Sequence, residues 1–189
     1  MFFIKLNNKN NKIYEFEISQ PEPNDLLEIL DLQDNIMNSI NDINWYSKST
    51  KKEIEEAINN KKDYLCLKIS HNEKIVAFAF IILNPDKKYD LYLDLENNGI
   101  VVNYKNNERC VFKTSFVDKN YRGFGLQSLL INILSNWGRL VGKKAVFATV
   151  HPDNIYSEKN FENNTYFKVT AKPLDKYGDK RHYFVKILN

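Results

Sequence analysis

Apolar and polar positions alternate from Lys12 to Ile18 (KIYEFEI), a period of two that predicts a half-buried strand, and QPEP stops it. The period then lengthens. Asn24 can cap a helix from Asp25 to about Ile40, in which Leu27, Leu30, Ile36, Met37 and Ile40 recur at helical spacing. A second helix starts at Thr50, where Thr50 and Glu53 form a T-x-x-E capping box ahead of Ile54, Ala57 and Ile58. Two apolar runs, Tyr64 to Ser70 and Lys74 to Leu83, joined by HNE, predict a hairpin. Tyr89 to Leu95 and Gly99 to Tyr104 read as a further pair of short strands, and Cys110 to Val117 as a strand of strong propensity.

A stripe of Leu126, Leu129, Leu130, Ile133, Leu134, Trp137, Leu140 and Val141 then predicts a long helix closed by Gly142 and two lysines. Ala145 to Val150 reads as a buried strand, and HPDN as a turn leading a helix from Ile155 to about Asn164. Tyr166 to Lys172 and His182 to Leu188 are the last strands, separated by the polar PLDKYGDKR. This order of elements predicts an α/β (α+β) fold with one mixed sheet, and with neither repeat nor linker residues 1–189 read as a single domain.

Composition excludes more than it selects. The 27 basic and 24 acidic side chains leave a net charge of +3, without the dense basic face of a nucleic-acid binder. The lysine-rich stretch from Lys168 to Lys186 reads as a solvated edge. Cys66 and Cys110 stand far apart in apolar runs with no ligand spacing, so buried free thiols are expected and no metal. MFFIKL is too short for an export signal, and no window reaches the ~18 apolar residues that a membrane span needs. The expectation is a cytoplasmic protein.

Candidate chemistry concentrates in YRGFGLQ, Tyr121 to Gln127, between a strand and a long helix. Unpaired amides at a helix start carry a partial positive charge that suits a phosphate, and Gly123 and Gly125 lack side chains that would block it. A tight turn needing positive φ would use the same glycines. A dinucleotide fingerprint would require a third glycine, which is missing.

Arg122-Gly123-Phe124-Gly125-Leu126-Gln127 resembles the R/Q-x-x-G-x-G/A signature of the GCN5-related N-acetyltransferase (GNAT) superfamily, and the element order is similar from about Lys12 to Leu188. ATVHPDNIYSEKNF, Ala148 to Phe161, resembles the strand, turn and helix in which that family places an Asn, a small residue and an aromatic. The resemblance implies a mostly antiparallel mixed sheet with helices on both faces, and acetyl-CoA as co-substrate. It implies that main-chain groups from Thr114 to Val117, including Phe116 and Val117, bind the pantetheine amides. The amides from Arg122 to Gln127 would hold the pyrophosphate. Asn154, Ser157 and Phe161, at i, i+3 and i+7, would face the thioester end.

Three departures from the pattern bear on chemistry. Gln127 replaces the final Gly or Ala but keeps its backbone N–H, so phosphate binding is expected to survive. Phe161 stands where many members carry the tyrosine that protonates the leaving thiolate, which leaves Ser157 and Tyr156 as catalytic candidates. Lys113 stands where relatives often have a glutamate, which leaves Glu108, His151, Asp153 or a water as base; each has an ordinary reading as a cap, turn or surface residue. Thr165 and Tyr166 replace a usual Gly-Phe. The expected function is acetyl transfer to a primary amine of a small molecule or peptide, with a homodimer compatible with it. The alternative is an acyl-CoA-binding sensor or partner module that turns over weakly or not at all. Tyr89, Asp90, Tyr92, Asp94 and Glu96, in the insertion from Asn84 to Asn107, would suit a cationic acceptor.

Overall fold

The computed structural model describes residues 1–7, 11–40, 42–101, 103–176 and 178–188. Its strands are β1 (Phe2–Asn7), β2 (Ile13–Ser19), β3 (Tyr64–His71), β4 (Lys74–Ile82), β5 (Arg109–Val117), β6 (Ala145–Val150), β7 (Phe167–Lys168), β8 (Leu174–Lys176) and β9 (Asp179–Ile187). The helices are α1 (Leu26–Met37), α2 (Lys51–Asn59), α3 (Leu91–Asn97), α4 (Leu126–Leu140) and α5 (Ile155–Asn163). One sheet runs β1-β2-β3-β4-β5-β6-β9-β7, with β8 paired to β9. Among these pairings only β5 with β6 is parallel, because α4 carries the chain across between them.

Alternation along the central strands divides the core in two. On one face Ala79, Ile81, Cys110, Phe112, Val146 and Ala148 pack with Leu130, Ile131 and Leu134 of α4 and Phe161 of α5. On the other, Phe78, Phe80, Ile82 and Phe116 meet Ile29, Leu32 and Ile36 of α1 and Ile54, Ala57 and Ile58 of α2. That second face continues beside Val111, Phe147 and Tyr183, which Leu91 and Leu95 of α3 cover. Apolar residues are buried on both faces of β4, which is why KIVAFAFII reads as an unbroken apolar run.

Several expectations need correcting. Tyr89 to Leu95 is not a strand: Asp90 caps α3 by accepting from the Tyr92 amide at 3.1 Å, and Leu91 and Leu95 are buried at i, i+4. The alternation of tyrosines with acids there only imitates a period of two. Ile100, Val101, Asn103 and Tyr104 are not strand either, and position 102 of that expected strand lies outside the described residues. Two strands were absent from the expectation, β1, which pairs with β2 from Phe2↔Ile18 to Asn7↔Ile13, and β8, which pairs with β9 inside the polar segment read as a loop. The strand expected from Tyr166 shrinks to two residues. Tyr166 is itself drawn into the core, its hydroxyl 2.8 Å from Ser135 Oγ, while Thr165 takes a φ of 64°, a conformation a glycine adopts without cost.

Candidate active site

The site begins as an irregularity in β5. Phe80 pairs with Thr114 but the next residue, Ile81, pairs with Phe112, so Lys113 is an extra residue in the ladder. Such a bulge bends its strand and re-aims side chains. Both effects are visible. Lys113 and Thr114 open on the same face, Lys113 Nζ lying 5.6 Å from the Tyr89 ring and Thr114 Oγ1 2.7 Å from Tyr46 Oη. Pairing of β5 with β6 stops at Phe112↔Ala148, while β6 continues with β9 to Val150↔His182. Beyond Phe112 the two strands part, leaving the main-chain groups of β5 on that side without a ladder. Phe116 is anchored away from the gap, its ring 5.4 Å from Phe78 and 6.0 Å from Tyr46, and Val117 next to it is half-buried.

A cleft of about 80 Å³ passes through this opening. Phe112, Ser115, Gln127, Asn154, Ser157 and Phe161 line it from the α4–α5 side, and Trp45, Tyr46, Lys113, Thr114, Thr149 and Arg181 from the other. A larger hollow, about 390 Å³, lies between Leu30 and Lys51 and shares none of these residues. It is walled by α1 and the turn before α2 and has no opened strand beside it, so the chemistry is sought in the smaller cleft.

The glycine turn leads into Gln127, which lines the cleft. Phe124 is buried, its ring 4.8 Å from Tyr14 and 5.3 Å from Phe16, and this aromatic anchor holds the turn on the sheet. Gly123 and Gly125, either side of it, have φ of 90° and 75°, and a Cβ on either would meet nothing within 4 Å. The turn reading of these glycines holds, since both take left-handed backbone, and the space over them is open. Leu126 is buried beneath the turn and Arg122 is exposed beside it. The Gly125 carbonyl accepts the first bond of α4, from the Leu129 amide at 2.9 Å, so the amides of Leu126, Gln127 and Ser128 precede that bond and remain available.

On α5, Asn154 accepts from the Ser157 amide at 3.1 Å and is the cap expected of Asp153. Asn154, Ser157 and Phe161 all line the cleft; Tyr156, one position round the helix, is 72% exposed and does not. Phe161 belongs to an aromatic cluster, 5.4 Å from Phe112 and 4.9 Å from Tyr166. Gln127 does more than its sequence position announced. Its amide nitrogen donates to Ser115 Oγ at 3.0 Å and to Ser157 Oγ at 3.3 Å, and its oxygen accepts from Asn160 Nδ2 at 2.7 Å. A side chain where the signature has Gly or Ala thus bridges β5 and α5 inside the cleft.

Of the candidate bases, Glu108 is committed to Lys144 at 2.6 Å and to the Lys105 amide. His151 Nδ1 accepts from the Asp153 amide at 3.2 Å, which puts its proton on Nε2, 3.2 Å from Asp179 Oδ2. Asp153 is exposed. None of the three lines the cleft. The acids of the insertion are likewise engaged: Asp90 with Arg109 at 3.2 Å, both buried, and Asp94 with Lys176 at 2.6 Å.

Gln33 and Arg181, which sequence reasoning passed over, support the far wall. Gln33 on α1 holds this wall by donating to the Ser49 carbonyl at 2.9 Å and accepting from Tyr46 Oη at 3.0 Å. Arg181 reaches the carbonyls of Asn44 at 2.6 Å and Trp45 at 3.4 Å. Glu53 closes the capping box with Thr50 and its other oxygen takes the Tyr89 hydroxyl. Burial acts to raise the Glu53 carboxyl, but the bonds from Tyr89 and Thr50 and the charge of Lys113 outweigh it and hold the group below the usual range. Lys113, read from sequence as a solvated strand residue, is half-buried and held below the ordinary lysine value. Burial is the main cause; the charges of Lys88, Arg181 and Lys176 add to it, and Glu53 opposes.

The protein is thus of the α/β class, with one mixed sheet whose neighbouring strands β5 and β6 part beyond Phe112 and with a glycine turn and the start of a long helix in the connection between them. The acetyltransferase (GNAT) family model matches residues 26–165, most of the chain, and the chain belongs to that family. Its fold is similar to a GNAT-family acetyltransferase from Streptococcus pneumoniae (16% identity, 92% of this chain and 99% of that one, TM-score 0.70). It is also similar to yncA from Salmonella typhimurium, solved with its cofactor acetyl-CoA (14%, 92% and 94%, TM-score 0.68). A third is Arabidopsis thaliana NAA60, solved with a bisubstrate analogue (15%, 92% and 98%, TM-score 0.67). No curated protein sequence matches. No helix among the described residues is long and apolar enough to cross a membrane.

Proposed function

We propose that residues 1–189 act as one cytoplasmic N-acetyltransferase domain that moves acetyl from acetyl-CoA to the primary amine of a small molecule or peptide. One observation carries this reading: where β5 parts from β6 after Phe112, a cleft opens that Gln127, in the first turn of the helix after the glycine turn, lines together with Asn154, Ser157 and Phe161. The residues present fit acetyl-CoA. The amides of residues 123–128 would receive the pyrophosphate, and the free side of β5 from Thr114 to Val117 would receive the pantetheine amides. When bound, acetyl-CoA supplies an activated acyl group.

The chain's own part is to orient and to exclude water. Phe112 and Phe161 give the α5 side of the gap an apolar lining. An amide of β5 near Phe116 or Val117 would polarise the acyl oxygen. Ser157, whose hydroxyl lies in the cleft, is the group nearest in kind to a proton donor for the thiolate; Tyr156, pointing to solvent, is not suited to that task. The acceptor would enter from the Tyr46–Lys113 side.

A second reading, an acyl-CoA-binding module with little turnover, is favoured by Phe161, which offers no proton, and by Gln127 across the passage. The two are separated by thermal melting with acetyl-CoA followed by CoA-thiol release with an amine panel. A ligand at a hundred times its dissociation constant adds about 2.7 kcal/mol. Stabilisation with transfer supports the enzyme, stabilisation without transfer supports the module, and an unmoved melting curve removes both.

A further inference from the structure

Three side chains in a row decide how one hydroxyl of the cleft can bond. Gln33 is fully buried and pairs twice with the backbone of Ser49, its Nε2 donating to the carbonyl at 2.9 Å and its Oε1 accepting from the amide at 3.0 Å. A backbone N–H only donates and a carbonyl only accepts, so this pairing fixes which way round the Gln33 amide lies. Its oxygen is also 3.0 Å from Tyr46 Oη and has no proton to give, so the phenol proton occupies that bond. Tyr46 Oη then meets Thr114 Oγ1, at 2.7 Å, with lone pairs alone, and the threonine proton must fill that contact. Every proton of the chain is thus committed in one direction, from Thr114 through Tyr46 to Gln33. What Thr114 has left, in a cleft that it lines together with Tyr46, is acceptor capacity.

We propose that Thr114 Oγ1 accepts a hydrogen bond from an N–H of the acceptor amine, and that Tyr46 and Gln33 are positioning residues that keep this hydroxyl an acceptor. The inference rests on the acetyltransferase reading and deepens it. Thr114 shares its wall with Trp45, Tyr46 and Lys113, the side from which the acceptor would enter, and stands two residues before Phe116 on β5. A group that can only accept suits an amine, which brings N–H donors, and offers nothing to the acyl oxygen, which itself accepts. One N–H held here orients the nitrogen and leaves its lone pair for the carbonyl carbon. The chain orients and does not relay, because it ends on an amide oxygen, which is no base. Burial, the main cause, and the charge of Glu53 keep the Tyr46 phenol above its ordinary value against the bond from Thr114, so its proton stays in place. Its ring is held edge-on to Phe116 at 6.0 Å.

The test uses Thr114→Val, which keeps the shape and removes the hydroxyl, Thr114→Ser, which keeps the hydroxyl, and Tyr46→Phe, which frees the threonine proton to turn into the cleft. Calorimetry measures alaninamide, tyramine and a peptide with a free amino terminus binding to the CoA-saturated protein, and CoA-thiol release is followed with the same amines at saturating acetyl-CoA. Thr114→Val should weaken amine binding and lower kcat/KM for the amine about tenfold, with the dissociation constant of acetyl-CoA held within about twofold. Thr114→Ser should restore most of the loss, and Tyr46→Phe should lower kcat/KM about threefold with acetyl-CoA binding retained. Melting curves with acetyl-CoA accompany each variant, so that loss of fold is seen apart from loss of the bond. Equal weakening of acetyl-CoA and amine in Thr114→Val would assign the hydroxyl to a pantetheine amide, and faster transfer by Tyr46→Phe would assign the threonine proton to the acyl oxygen. Either result, or parent-like amine binding and rate in a folded Thr114→Val, overturns this inference and leaves the enzyme reading standing. Absence of transfer to every amine by protein that acetyl-CoA stabilises overturns the enzyme reading, and this inference with it.

Discussion

Gln127 Nε2 lies 3.0 Å from Ser115 Oγ, joining the first turn of α4 to the open edge of β5 across the gap that the bulge creates. The signature position that resembled a small residue by its backbone alone therefore carries a side chain across the passage. Gln127→Ala removes this bridge. The free protein should lose about 1 kcal/mol, the worth of a part-buried hydrogen bond, and the dissociation constant of acetyl-CoA should fall about fivefold, since the ligand no longer has to displace the amide. Isothermal titration reads both members; weaker binding by the variant would show instead that the amide holds the ligand.

At Gly125 the left-handed φ of 75° and the open space over it predict two separable losses. Gly125→Val forces a β-branched residue into a conformation that costs about 1–2 kcal/mol, and it fills the volume that a phosphate oxygen would use. Gly125→Ala strains the backbone similarly with less bulk. Valine should abolish acetyl-CoA binding and alanine weaken it, in protein that circular dichroism shows folded. Parent-like binding by the valine variant would put the phosphate somewhere else.

Phe161→Tyr adds a hydroxyl to a ring that lines the cleft and touches Phe112 and Tyr166. A thiolate needs little help to leave, so the gain in the chemical step at saturating acetyl-CoA should be only several-fold, well below the ~10²-fold of a demanding proton transfer. Ser157→Ala tells whether serine already serves: the parent should slow and the tyrosine background should be largely protected. Equal slowing in both would assign Ser157 to holding Gln127 in place.

Legibility followed the range of the interactions. Ala145 to Val150 and the long helix after Gly125 were readable because local period and burial agree there, and the capping box of Thr50 and Glu53 because it spans three residues. Asn154, Ser157 and Phe161 shared a face by helical spacing alone. The bulge at Lys113 was not readable, since it exists only relative to β4, and neither was the role of Arg181, which depends on loop carbonyls 137 and 136 positions away. Arg181 is the one arginine in the lysine-rich stretch from Lys168 to Lys186, and that stretch read as a solvated edge. Tyr89 to Leu95 misled because alternating Tyr, Asp and Leu satisfy a period of two as well as an i, i+4 pair, and only the Asp90 cap decides between them.

Glu53 ties the start of α2 to the far wall of the cleft, accepting from the Thr50 amide at 2.7 Å with one oxygen and from the Tyr89 hydroxyl with the other. Its carboxyl is held below the usual carboxylate range in the folded protein, so the charged form is the one the fold favours. The sign follows: a depressed folded pKa contributes stability that is fully present above the unfolded value, 4.5, and is lost as pH falls through the folded value. Glu53→Gln, which keeps an acceptor but no charge, should therefore cost about 1 kcal/mol at pH 7 and less at pH 3, the cost shrinking as pH falls below 4.5. Tyr89→Phe removes the hydrogen bond that lowers the group most, and in that background the pH dependence of the Glu53→Gln cost should shrink. Urea unfolding of the four proteins at pH 7 and pH 3 measures this directly. A Glu53→Gln cost that stays constant between the two would mean that the carboxyl serves only as a neutral acceptor and that its charge takes no part in fixing Tyr89 over Lys113.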